Sequence, residues 1–336
     1  MTSSKKHRIF ITAVLLALLA AILAGGIFGT YALHRYNTLE MPMPYTNKSM
    51  AYTATNENAM ETQAAFSFSL CVGDANVGNS NITVEDGVSA GLFNLDNKSV
   101  LFSKNMYSKV YPASLTKIVT AILALKYGNL DDVVTINWQD LELESGSQVV
   151  GFKIGDQVTM RELLHGLLVH SGNDAAMAIA RHVGGSVSKF VTMMNDELKE
   201  IGATNSHFMN PTGLQDTNHY TTVYDIYLML NNAITYPDFV SIMQISVYEL
   251  NYTDASGQAK KVTLDSTDHY LTKDTDPPKD VTVLGGKTGT TDDAGNCLAI
   301  VSQNAFGQPF ISVVVGASSK DVLYTNMNSL LSQINA

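Results

Sequence analysis

Short apolar runs bounded by turn residues lie at both ends of the chain's body, with a long block of helical periodicity between them. Residues 88–94 and 99–102 flank Asp96-Asn97 and read as a β-hairpin. Residues 284–290, 297–302 and 310–316 read as three more strands, joined by turns containing Gly and Asp. From Ser114 the period changes. Ile118, Ala121, Ile122 and Leu125 recur at helical spacing, and Gly128 ends the pattern. Further helices are expected over 160–168, 174–182, 187–201 and 222–230, and an amphipathic one over 322–334 closes the chain. Two strands, a helical block, three strands and a helix define an α/β fold of the α+β type. Its expected form is an antiparallel sheet of about five strands flanked by helices, with an all-helical lobe inserted over roughly residues 130–280. A cleft between sheet and lobe is the natural ligand site.

The start of the chain is different. Lys5, Lys6, His7 and Arg8 precede a charge-free apolar run over residues 9–33, about 25 residues and long enough to cross a bilayer as a helix. Basic residues before such a run keep the N-terminus inside and send the remainder out. Residues 1–35 are therefore read as a cytoplasmic tip and single-pass membrane anchor, with a cleaved signal peptide and secretion as the alternative. Residues 36–80, rich in Thr, Asn, Ala and Met, read as a linker, and 81–336 as the folded domain. Outside the N-terminus no Lys/Arg cluster occurs and the net charge is -10, which argues against a nucleic-acid partner. Two cysteines, Cys71 and Cys297, allow at most one internal disulfide and cannot form a metal cluster unaided.

Three short strings carry chemical promise. Ser114 and Lys117 stand almost one helical turn apart just after Tyr111-Pro112-Ala113, where Pro112 disfavours helix before it. A serine at a helix start has free backbone N–H groups and a positive dipole end beside it, both favourable to a developing oxyanion. An ordinary helix cap with an exposed lysine is the plain alternative, since the same spacing recurs at Ser3 and Lys6 and at Ser186 and Lys189. Ser171-Gly172-Asn173 follows an apolar helix, and its hydroxyl and amide can face one cleft. A helix cap before Asp174 explains it equally well, and Ser103-Lys104-Asn105 matches the same loose pattern. Lys287-Thr288-Gly289-Thr290 falls on an expected strand after Gly285-Gly286. There Gly289 leaves room for another backbone, and the ammonium and hydroxyl can grip a carboxylate. A polar edge strand is the alternative.

Order and context change their weight. Ser-x-x-Lys opening a helix after a hairpin, then Ser-x-Asn ending a helix, then Lys-Thr-Gly on a strand, is the signature of penicillin-binding proteins and serine β-lactamases. The strings Tyr-Pro-Ala-Ser-Leu-Thr-Lys (111–117), His-Ser-Gly-Asn-Asp-Ala-Ala (170–176), Met194-Asn195, Asn210-Pro211-Thr212-Gly213-Leu214 and the run 286–290 resemble the low-molecular-mass D-alanyl-D-alanine carboxypeptidases. The resemblance covers about residues 87–336. It implies a β-lactamase/DD-peptidase-like fold and removal of the terminal D-alanine from a peptidoglycan pentapeptide through an acyl-enzyme, with β-lactam antibiotics as covalent inhibitors.

By the same resemblance Ser114 is the nucleophile and Lys117 its base, Ser171 relays a proton to the leaving amine, and Asn173 holds the substrate amide. Lys287 and Thr288 bind the terminal carboxylate, and the N–H groups of Ser114 and Thr290 form an oxyanion hole. No metal or organic cofactor is implied. A free lysine of pKa ~10.4 is neutral only about once in a few thousand molecules at pH 7, so burial and the Lys287 charge must lower it. His165, His170 and His219 fit no Ser-His-Asp pattern. Relatives carry a β-rich second domain and a C-terminal amphipathic anchor, and the N-terminal span is expected to replace that anchor. Three rival readings share the strings: a β-lactamase, which needs a deacylating glutamate and here finds Glu197 and Glu200 on a helix; a DD-endopeptidase; and a catalytically inactive wall-binding homologue.

Overall fold

The protein is described by a computed structural model covering residues 69–336. The expected anchor (1–35) and most of the expected linker lie outside the described residues, and among the described residues no helix is long and apolar enough to cross a membrane. Within the stretch read as linker, residues 71–77 are part of the body. Cys71 is fully buried, its N–H donates to the Tyr227 hydroxyl, and Val77 bridges Ser103.

The first hairpin is β1 (Ser89–Asn94) and β2 (Ser99–Lys104). Asn94 Oδ1 accepts from the Asp96 and Asn97 N–H groups and so closes the turn. A 3₁₀ turn, Ala113–Thr116, runs into α1 (Lys117–Tyr127). Residues 117–124 of α1 are all buried, as befits a helix at the centre of its lobe. Next come β3 (Val133–Thr135), β4 (Gln157–Thr159), α2 (Met160–Leu168), α3 (Asn173–Gly184) and α4 (Val187–Glu200). They are followed by α5 (Val223–Ala233), α6 (Pro237–Met243), β5 (Val247–Thr253), β6 (Ala259–Asp265) and α7 (His269–Thr272). The chain ends with β7 (Thr282–Thr291), β8 (Gly295–Gln303), β9 (Pro309–Ala317) and α8 (Lys320–Leu331).

The main sheet has five antiparallel strands in the order β2-β1-β9-β8-β7, so the first hairpin joins the last three strands edge to edge. One face carries Leu92, Ile300, Phe310 and Val314 against Leu323, Met327 and Leu330 of α8. Phe93 of β1 stacks on Tyr227 of α5, with ring centres 4.2 Å apart. Burial on both faces explains why these strands read as continuous apolar runs rather than as alternation.

The sheet flanked by helices is as the sequence predicts, but the inserted lobe is not all-helical. It holds a second antiparallel sheet, β3-β4-β5-β6. β3 and β4 have three residues each, and β5 and β6 show few buried positions, chiefly Leu250 and Leu264. Strands so short or so exposed leave almost no apolar period in the sequence. Cys71 and Cys297 are both buried free thiols, so the disulfide that they would permit is not formed.

Candidate active site

Ser114 sits on the 3₁₀ turn, one residue after Ala113, whose φ of 46° is a conformation that L-residues seldom adopt. The loop 210–214 holds that turn from below. Asn210 Oδ1 accepts from Thr212 N, Thr212 Oγ1 and Gly213 N, and Thr120 Oγ1 donates to the Pro211 carbonyl. Gly213, with φ of 85°, lies so close that a side-chain carbon there would overlap the Ala113 carbonyl. His219 supports the same turn from the side. Its Nδ1 accepts from Met209 N, leaving Nε2–H to donate to Thr116 Oγ1, which donates to the Ala113 carbonyl. Burial pushes the His219 pKa down to about 4, consistent with a neutral ring.

Lys117 Nζ is fully buried, 2.8 Å from Ser114 Oγ, 2.6 Å from Asn173 Oδ1 and 2.7 Å from the Thr212 carbonyl. Carbonyl oxygens only accept, so two N–H bonds are committed to Asn173 and Thr212. A neutral amine then has its lone pair left for the Ser114 hydroxyl proton. Burial, then the Lys287 charge, push the Lys117 pKa well below its ordinary value, with Asp174 opposing them.

Ser171 adopts φ of 62° just before α3, and its Oγ accepts from Lys287 Nζ at 2.9 Å. Asp174, fully buried, accepts from Val150, Gly151 and Phe152 N–H and so fastens the 147–152 loop to the start of α3. On β7, Gly289 lies against the Ser114 turn, where a side-chain carbon would stand 3.0 Å from Ser114 N. Thr288 Oγ1 is 2.5 Å from Thr267 Oγ1, on the turn before α7. Burial pushes the Lys287 pKa down to about 7, and the Asp268 carboxylate opposes the fall.

A cavity of about 640 Å³ opens between sheet and lobe and is lined by Ser114, Ser171, Asn173, Thr288, Gly289 and Thr290. Lys117 and Lys287 stand beneath this lining, each bonded to one of its serines, Ser114 and Ser171. All eight residues singled out in the sequence therefore meet at one cleft. Ser3 and Lys6 lie outside the described residues, and the other look-alikes stand elsewhere. Ser186 is a plain helix cap accepting from Lys189 N, and Ser103 and Lys104 bond the backbone of residues 74–85. Thr212 and Asp174 lie within strings that carry the resemblance, but the sequence assigns no role to the Thr212 carbonyl, to Asp174 or to the wall at Thr267, because backbone atoms and positioning carboxylates leave no side-chain pattern of their own. Among the described residues no cluster of His, Cys, Asp or Glu could hold a metal ion.

A serine hydroxyl bonded to a desolvated amine, with a second buried lysine on the neighbouring strand, is an arrangement in which the hydroxyl can be activated as a nucleophile. A sequence profile of the D-alanyl-D-alanine carboxypeptidase family matches residues 80–319, and the chain belongs to that family. It is 33% identical over 236 residues to D-alanyl-D-alanine carboxypeptidase DacF of Bacillus subtilis, covering 69% of this chain and 57% of the relative. For DacC of Escherichia coli the identity is 32% over 244 residues, covering 69% and 57%. The chain thus spans little more than half the length of these relatives. Among solved structures, a Streptomyces DD-transpeptidase superposes with a TM-score of 0.69 at 25% identity, covering 75% of this chain and 97% of that one. The D-alanyl-D-alanine carboxypeptidase DacD of Francisella tularensis gives 0.66 at 27% identity, covering 78% and 73%.

Proposed function

We propose that this protein is a serine-type D-alanyl-D-alanine carboxypeptidase that removes the terminal D-alanine from peptidoglycan stem peptides and is acylated by β-lactams. One observation carries the reading: Lys117 Nζ lies 2.8 Å from Ser114 Oγ with its other contacts made to carbonyl acceptors. In the proposed sequence Ser114 Oγ attacks the carbonyl carbon between the two D-alanines while its proton passes to Lys117 Nζ. The carbonyl oxygen becomes an oxyanion facing the N–H groups of Ser114 and Thr290. The C–N bond then breaks, the amine leaves with the proton that Lys117 took from Ser114, relayed through Ser171, and an ester remains on Ser114 beside a Lys117 that is neutral again. Water, losing its proton to Lys117, cleaves that ester, and Lys117 returns the proton to Ser114 Oγ. Asn173 orients the substrate amide, and Thr288 grips the terminal carboxylate with the Lys287 charge behind it.

A β-lactamase would need a carboxylate to activate the deacylating water. Glu197 and Glu200, the glutamates that the sequence offers after the second motif, are both bonded to Lys126, which favours the peptidase. The reading also includes an extracytoplasmic catalytic body held to the membrane by residues 9–33. Sedimentation of the full chain with membranes after a high-salt wash tests that part.

The decisive test of the chemistry is mass spectrometry of protein treated with penicillin. An adduct on the Ser114 peptide, lost in Ser114→Ala along with D-alanine release from a pentapeptide, is expected. An adduct elsewhere would overturn the assignment. Sustained nitrocefin hydrolysis would favour the β-lactamase instead.

A further inference from the structure

Asp268 is a buried carboxylate that the chemistry above does not use. It is 2% exposed. Its Oδ1 accepts from Tyr270 N at 3.0 Å, capping α7, and from the Tyr324 hydroxyl at 3.4 Å. Its Oδ2 is buried with no hydrogen-bond partner among the described residues. A carboxylate held this way is expensive unless a cation lies near; the bond from Thr267 to Thr288 sets this turn against the β7 segment that carries Lys287, whose charge acts on Asp268 through space and not by a direct hydrogen bond. On either side of it stand residues of the cleft wall: Thr267, bonded to Thr288, and His269, which stacks on Tyr324.

We propose that Asp268 is a positioning residue for the carboxylate-binding end of the cleft, its buried negative charge holding the Lys287 ammonium in the cationic form that an anionic substrate terminus requires. The inference rests on the carboxylate-binding role given to Lys287 above. The charged and titratable groups facing this pair are few. Lys117 of α1 repels Lys287, Lys287 of β7 and Asp268 attract each other through space, the Tyr324 phenol of α8 donates to Asp268, and the Tyr270 phenol of α7 feels the carboxylate while donating to Asn328 Oδ1. Lys287 donates to Ser171 Oγ and to the Thr288 carbonyl, neither of which carries charge. Asp268 thus supplies the one opposite charge that acts on Lys287 among the described residues.

The directions agree. Burial raises the Asp268 pKa to about 6 and lowers that of Lys287 to about 7. Near pH 8 the carboxylate is charged and supports the ammonium. Below about pH 6 Lys287 is charged with or without help, so the benefit of Asp268 vanishes there.

Asp268→Asn removes the charge and keeps a side chain that caps helices well. The measurement is the second-order acylation rate, across pH, for a penicillin and for its carboxylate methyl ester. In the unsubstituted protein the acid should react faster than the ester. In Asp268→Asn that preference should fall about tenfold at pH 8, equivalent to one pH unit of displacement, and stay unchanged near pH 5.5. A merely structural role would slow both ligands alike. Stability separates the two as well. A carboxylate whose folded pKa is raised contributes stability that is present below its unfolded value and lost as pH rises through about 6. The Asn variant should therefore melt no lower than the parent at pH 8. Asp268→Ser, a second uncharged cap, serves if Asn does not fit. An unchanged acid-to-ester ratio, or failure of both variants to fold, overturns the proposal. If the unsubstituted protein reacted with neither ligand, the acyl-transfer reading would itself fall, and this inference with it.

Discussion

Lys117 has three hydrogens when charged and two when neutral; two go to carbonyl acceptors, so Ser114 Oγ faces either the third hydrogen of the ammonium or the lone pair of the amine. In the proposed chemistry Lys117 acts neutral and Lys287 charged, although both are buried. Two opposite requirements on neighbouring lysines predict a bell-shaped dependence of β-lactam acylation on pH. The acid limb belongs to Lys117, whose proton must leave. The alkaline limb belongs to Lys287 and should fall near pH 7, as its pKa indicates. Stopped-flow acylation with a carboxylate-bearing penicillin should show both limbs, and with the ester the alkaline limb should flatten. Lys117→Ala should lower acylation by at least about a hundredfold, the usual contribution of a positioned base, with circular dichroism unchanged.

Among elements, the loop 210–214 and the start of α3 are what make those two lysines into a site. Gly213 fits against the Ala113 carbonyl only because it has no side chain. Gly213→Ala should displace the turn that carries Ser114 and slow penicillin labelling by about a hundredfold, the scale of a 1 Å misplacement. Asp174→Ala would strand the N–H groups of Val150, Gly151 and Phe152 and should cost about 3 kcal/mol or more in urea denaturation. At this scale the sequence is readable where apolar period is strong. The strands of the main sheet and the helices over 160–168 and 187–201 are found close to where their patterns lie. It is silent where a strand has three residues or faces water on most sides, so the second sheet goes unseen. The Thr212 carbonyl is silent for another reason: main-chain acceptors look the same at every position.

For the whole molecule, the sheet order places strands from the two ends of the domain side by side, β1 against β9. Its face is then sealed by α8 through Leu323, Met327 and Leu330. Met327→Ala, at a fully buried position, should cost about 2–5 kcal/mol, read as a lower urea midpoint with the slope unchanged. The amino-acid sequence by itself determined the chemical inventory and its order: a serine and lysine one turn apart, a serine with an amide, and a lysine on a strand. It also determined which segments carry enough apolar period to become strands and helices. Only the tertiary structure decided how the surroundings of the two lysines differ. Their charge states depend on desolvation and on groups remote in the chain, Asn173 and Thr212 for Lys117 and Asp268 for Lys287, and no local pattern encodes distances across a fold.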